Sequence, residues 1–321
     1  LSNCATPGNN DLGGTNPRIK QIFTRIQTAR EVICNVASSS NKIVKLGLFK
    51  FTTETGGTLV QGLNDMSDES SELVSYKNTV WDIYANTWTP LAEALADIWY
   101  YFKPGPNSKT FWPVDYEIAN DTVNHPTSNP VSPIDYWCQN NYVVIMTDGE
   151  STMDSFSNSR YSGSIFKDKP VKRTYPWATW SDGWGDADNN DIKSEGYIPN
   201  DYDPDTATYC PKWSCWLRSS SRDGTDLLDD VAYFLRNQDM FPDDHFGTDP
   251  STGWPGVQNI FTYTIGFNVD NDLLLQASVN GEGAYYTATN YDELVEAFQL
   301  VITGINLRNF AFSAITAPKK T

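Results

Sequence analysis

The chain has 321 residues, many for one bare α/β core and few for two, so a single domain with large insertions is expected. About 39% of the residues are hydrophobic, enough for a sizeable core, yet no stretch reaches the roughly 18 consecutive apolar residues of a membrane span. The formal net charge of -17 repels nucleic acid and anionic lipid and favours association with cations.

Residues 1–16 are rich in Gly, Asn and Pro and read as loop. Asn16 followed by Pro17 reads as a helix start, and Ile19, Ile22, Phe23, Ile26, Ala29, Ile33 and Val36 then recur at helical spacing, predicting a helix over 17–37. Residues 43–51 alternate as a strand, with a weaker strand near 58–62 and a poorly patterned helix over 69–86. Thr89-Pro90 opens a helix to about 103 with Leu91, Leu95, Ile98, Trp99 and Phe102 on its apolar side. A Pro-, Asn- and Ser-rich insertion follows over about 104–139. The short apolar run 141–147 then ends at Asp148-Gly149, as a strand covered on both faces does. A second insertion fills about 150–222.

A helix is predicted over 225–237, a strand over 258–267, a short helix near 271–278 and a strand near 284–288. Asn290 and Glu293 resemble a capping box that opens a last helix to about 306, and 307–321 reads as a tail leading to a further domain. Helices alternating with strands predict a mostly parallel central sheet flanked by helices, a Rossmann-like α/β fold with two large loop-rich insertions.

Five cysteines are present, at Cys4, Cys34, Cys138, Cys210 and Cys215. Cys210 and Cys215 are close enough in sequence for a local disulfide in an oxidising compartment, and the odd count leaves one thiol over. The composition, rich in Asn, Ser, Thr, Tyr and Trp, is that of an exported protein.

Two motifs carry the strongest chemical signal. In open α/β sheets, ligands bind beyond the carboxyl ends of the strands. Asp148 is placed at such an end and Thr89 at a helix start near the same edge, where a carboxylate and a hydroxyl suit a hard, partly hydrated divalent cation. The plainer alternative is that Thr89 is an N-cap and Asp148-Gly149 a strand-exit turn.

"TPLAEAL" (89–95) and "VVIMTDGE" (143–150) resemble the second and third metal motifs of von Willebrand factor A (vWA) domains. The order of "LLDDVAYFLRNQD", "QNIFTYTIGF" and "LLLQASVNGEGAYYTATNYDELVEAF" is similar to the closing half of the vWA domain in tip-associated adhesins of type IV pili, the PilC kind. Their A-x-N-G-x-G-x-Y stretch matches Ala277, Asn280, Gly281, Gly283 and Tyr285. The resemblance spans about 17–306, outside the insertions. It implies a bacterial protein displayed at the pilus tip, surface attachment, support of pilus assembly and twitching motility, and a Mg or Ca ion. It also implies pilin or minor-pilin partners and a host or abiotic surface ligand such as a glycan. Thr89 and Asp148 carry the metal role, and the site is incomplete, because the family's first motif, Asp-x-Ser-x-Ser at the end of the first core strand, is not found. Residues 1–16 resemble the loop that follows it, so a preceding segment or a partner chain is expected to complete the fold. The alternative function is a structural subunit or cap completed by strand donation from a partner.

Two further constellations lie in the insertions. Asp182, Asp186, Asp188, Asn190 and Asp191, followed by Asp201, Asp203 and Asp205, alternate carboxylates and amides in a way that can wrap calcium, though the EF-hand pattern fails and a solvated loop is the simpler account. Trp112 and Trp137 in the first insertion, and Trp177, Trp180, Trp184, Trp213 and Trp216 in the second, suit either contact platforms for sugars and proteins or a mini-core of the long loops. No catalytic motif is found around His125 or His245, and no enzyme activity is expected.

Overall fold

The computed structural model describes residues 24–40, 44–52, 56–65, 71–85, 87–103, 132–136, 138–149, 151–152, 171–174, 179–182, 227–241 and 256–316. Its elements in chain order are α1 (Arg25–Ser40), β1 (Lys45–Phe51), β2 (Gly57–Asp65), α2 (Ser71–Trp81), α3 (Leu91–Phe102), β3 (Asn141–Thr147), β4 (Val171–Thr174), β5 (Thr179–Asp182), α4 (Leu228–Asn237), β6 (Ile260–Phe267), α5 (Asp272–Asn280), β7 (Glu282–Ala288) and α6 (Tyr291–Thr316). The fold is mixed α/β. Strands β3, β6 and β7 form a parallel sheet in that order, β1 and β2 form an antiparallel pair with register shifts around Leu48, and β4 pairs with β5.

Two layers of side chains sandwich the parallel sheet. On one face α3, α4 and α5 bring Leu91, Leu95, Leu228, Leu235 and Leu274 against Val143, Ile145 and Ile260, with Phe49 and Phe51 of β1 packed against the same cluster. On the other face α1 and α6 bring Val32, Leu294, Val301 and Ile305 against Phe261, Tyr263 and Ile265, joined by Val44, Tyr142, Val144 and Met146. Each fully buried leucine contributes about 1.5–3 kcal/mol relative to exposure, so α4, which buries Leu228 and Leu235 completely, is held by packing. Strand β6, with a neighbour on each side, is buried at every position, including Thr262 and Thr264.

Several boundaries differ from the sequence expectation for identifiable reasons. The described helix α1 opens at Arg25, where Thr24 and Gln27 form a capping box: the Thr24 N–H donates to Gln27 Oε1 (2.9 Å) and the Gln27 N–H to Thr24 Oγ1 (3.4 Å). Residues 17–23 lie outside the described set. Helix α6 continues through the expected tail to Thr316, since nothing between Asn306 and Thr316 breaks a helix and Pro318 disfavours helical backbone at its predecessor. The expected single sheet is divided: β1–β2 shares one core layer with β3–β6–β7 through Phe49, Phe51 and Leu59, packs Leu46 and Leu48 against α1 and α2 in a separate cluster, and is joined to the parallel sheet by no described strand.

Candidate functional site at the carboxyl edge

Strand β3 delivers Asp148 to the carboxyl edge of the parallel sheet. The turn that follows is fixed by Thr147, whose hydroxyl accepts from the Gly149 N–H (3.2 Å) and donates to the Gly149 carbonyl (3.0 Å). This is the strand-exit turn of the plainer reading, and it leaves the Asp148 side chain 57% exposed. Its carboxylate receives Arg25 Nη1 at 3.5 Å, so the first turn of α1 stands at this same edge.

Thr89 does not cap α3. Pro90 occupies the N-cap position, and no side chain caps the helix there. The Thr89 backbone instead clasps Thr152: its N–H donates to Thr152 Oγ1 (2.8 Å), its carbonyl accepts from the Thr152 N–H (3.0 Å), and Thr152 Oγ1 donates to Thr89 Oγ1 (3.3 Å). Because Thr152 stands four residues beyond Asp148, this clasp holds the start of α3 and the exit of β3 at one edge. Thr87 donates to the carbonyl of Thr52, just past β1, which ties the end of the hairpin to the same loop. The edge thus gathers the Thr89 and Thr152 hydroxyls, the Asp148 carboxylate and the Arg25 guanidinium. Thr152 and Arg25 carried no sequence signal, Thr152 because it lies in an insertion without periodicity and Arg25 because its partner is distant in sequence.

Of these groups, the two hydroxyls and the carboxylate are of the kind that could ligate a hard divalent cation, whereas the Arg25 guanidinium cannot. The ligating groups amount to part of a site: among the described residues, no three or more His, Cys, Asp or Glu side chains gather where they could hold a metal. The acidic run 182–205 and the tryptophans of the insertions lie outside the residues whose side chains are described. So do Cys4, Cys210 and Cys215, while Cys34 is buried and Cys138 is an exposed thiol.

The stretch matching Ala277, Asn280, Gly281, Gly283 and Tyr285 is structural. It turns α5 into β7 against Thr262 of β6. A Cβ at Gly283 would lie 2.0 Å from the Thr262 carbonyl oxygen, and one at Gly281 would lie 2.5 Å from Thr262 Cβ. The Gly281 carbonyl accepts from the Thr262 N–H (3.1 Å). Tyr285 then binds the loop ahead of α5, donating to Asp270 Oδ1 (2.9 Å) and accepting from the Asn271 N–H (3.0 Å); burial is the main cause that pushes its phenol up to about 12.

A pair of carboxylates, one turn apart on α3, was not expected from sequence. Glu93 Oε2 accepts from the Gly56 N–H (2.8 Å) and Asp97 Oδ2 from the Gly57 N–H (2.8 Å), both fixing the start of β2. Their chemistry is that of backbone capping. No family model matches the chain, and no curated protein or solved structure matches it.

Proposed function

We propose that this chain is a vWA-type adhesion module of a bacterial type IV pilus tip protein, exported to the cell surface, that binds a surface ligand and supports pilus assembly and twitching motility. The observation that carries the reading is the convergence of the two motif segments, 89–95 and 143–150, at one carboxyl edge, clasped together through Thr89 and Thr152. Such an edge is where open α/β sheets bind ligands. Asp148 and the Thr89 hydroxyl would contribute to holding Mg or Ca, and the ion, when bound, would offer open positions to a ligand carboxylate or sugar hydroxyl. The negative chain charge fits a partner other than nucleic acid, with pilin or minor pilins on one side and a host or abiotic surface, including glycans, on the other.

The test is attachment of bacteria that carry Asp148→Ala or Thr89→Ala in the native tip protein. Binding to a defined surface should fall to the level seen when wild-type cells are treated with EDTA, and added Mg should not restore it. Unchanged attachment with unchanged cation dependence would sink the reading.

A further inference from the structure

The segment that brings Thr89 to the carboxyl edge carries two aromatic side chains that stay in water. Tyr84 is 68% exposed, and Trp88, next to Thr89 in the chain, is 40% exposed. Neither packs into the described core clusters, although Trp81, three residues before Tyr84, does. Large rings left at the surface forgo the stabilisation of burial and are the side chains that most often anchor a ligand or partner.

The segment that bears these rings is pinned on both sides. The Ile83 N–H donates to the Val80 carbonyl (3.3 Å), and Arg30 of α1 donates to the Ile83 carbonyl. The Arg30 guanidinium lies 5.7 Å from the centre of the Trp81 ring and 5.2 Å from that of Tyr84, so it props one face of Tyr84 while most of that side chain meets solvent. Further along, Thr87 donates to the Thr52 carbonyl and the Thr89 backbone clasps Thr152, which sets Trp88 between two anchors. Aromatic side chains on a backbone held in this way lose little freedom when a ligand arrives.

The class of ligand follows from the polar groups and the charge beside the rings. The clasp that anchors Trp88 places the Thr89 and Thr152 hydroxyls and the Asp148 carboxylate at the same edge. Hydroxyls both donate and accept, and a carboxylate accepts only, so together they suit a ligand rich in hydroxyl groups. Charge argues against the alternatives. In a chain of net charge -17 an acidic ligand is repelled, and a basic one has to compete with Arg25 for Asp148. A neutral pyranose meets both requirements: its C–H face lies flat against an aromatic ring, and the hydroxyls on its rim reach the carboxylate and the threonines.

We propose that Trp88 and Tyr84 form the apolar floor of a binding site for a neutral hexopyranose unit of a surface saccharide, with Trp88 as the principal contact and with Asp148 and Thr89 holding sugar hydroxyls. This rests on the reading that the carboxyl edge is the ligand site, and it narrows the ligand to an uncharged sugar. The stacking contact is made by the chain's own rings and draws on no cation.

The experiment is saturation-transfer NMR on the native polypeptide purified from its source, with three neutral probes: the methyl glycosides of β-galactopyranose, β-glucopyranose and α-mannopyranose. The expected result is transfer to the ring C–H protons of at least one glycoside, abolished by Trp88→Ala, reduced by Tyr84→Ala and retained by Trp88→Phe. Trp88 is already 40% exposed, so the thermal midpoint of Trp88→Ala should match wild type and show that the loss is not unfolding. No transfer to any of the three probes, or equal transfer in Trp88→Ala, would overturn the proposal. So would cell attachment that depends on Trp88 while no glycoside shows transfer, which assigns the rings to a protein surface. Transfer that survives Trp88→Ala but is lost in Asp148→Ala removes the rings and keeps the edge as the ligand site, so failure here is distinct from failure of the proposed function.

Discussion

Single side chains set both the edge and its supports, and their roles separate by substitution. Asp148→Ala removes a half-exposed carboxylate whose only described ion pair, with Arg25, is a surface contact. Such pairs contribute about 0–1 kcal/mol, so urea denaturation of D148A should stay within roughly that margin of wild type. Retained stability would mean that lost attachment reports on binding rather than unfolding. Gly283→Ala is the opposite case. Its Cβ would meet the Thr262 carbonyl of the neighbouring strand at 2.0 Å, backbone against backbone, and overpacking of this kind costs about 1–3 kcal/mol. Chemical denaturation should show that loss while attachment by the remaining folded protein persists. Glu293 supplies the pH dependence. Its carboxylate accepts from the hydroxyl and the N–H of Thr289 (both 2.7 Å), which lowers its pKa from 4.5. A lowered pKa means that the cap is fully formed above the ordinary glutamate range and is lost as pH falls through the lowered value. An NMR titration should find the Glu293 carboxyl titrating below a glutamate that lacks such hydrogen bonds, with the Thr289 amide shifting at the same pH, and Glu293→Gln should abolish that coupled shift.

At the scale of elements, the sequence was most legible where apolar period and local chemistry agreed. The run 141–147 and the stretch 258–267 became adjacent parallel strands β3 and β6 because both are apolar enough to be covered on each face. Asn290 caps α6 as its spacing to Glu293 implies, its Oδ1 accepting from the Glu293 N–H (3.1 Å). Less legible was anything fixed by distant partners. Apolar spacing carried the first helix back to Pro17, whereas Thr24 and Gln27 set its described start. Pro90 took the cap position that the plainer alternative gave to Thr89, and Thr89 clasps Thr152, a contact spanning an insertion that periodicity cannot bridge. Glu93 and Asp97 were singled out by no sequence pattern, yet they are buried and anchor β2 through the Gly56 and Gly57 amides. Asp97→Asn should therefore weaken the hairpin: a hydrogen bond to a charged acceptor contributes about 1.5–3 kcal/mol, and the Gly57 amide should exchange faster than in wild type. An unchanged exchange rate at Gly57 would remove Asp97 from that anchoring role.

For the molecule as a whole, charge is the dominant feature, with 40 acidic against 23 basic residues. Mutual repulsion of so many carboxylates opposes the compact state, and salt weakens it once the screening length shrinks to about 8 Å near physiological ionic strength. Salt also weakens the exposed pairs Arg25–Asp148 and Lys45–Asp135, but each is worth little, so the repulsive share decides the sign. Thermal unfolding in NaCl should accordingly shift upward between low and physiological ionic strength. A downward shift would mean that the ion pairs tying α1 and β1 to the neighbourhood of β3 outweigh the general repulsion. The same measurement separates screening from a bound cation. At matched ionic strength, a divalent ion that occupies the carboxyl edge stabilises the folded state by mass action in addition to screening. MgCl2 or CaCl2 should then raise the midpoint beyond NaCl in the wild-type native polypeptide, and the excess should vanish in Asp148→Ala while the screening part remains. If the excess survives that substitution, the cation sits elsewhere, and the acidic segment 182–205 becomes the place to seek it, first with Asp186→Asn and Asp188→Asn.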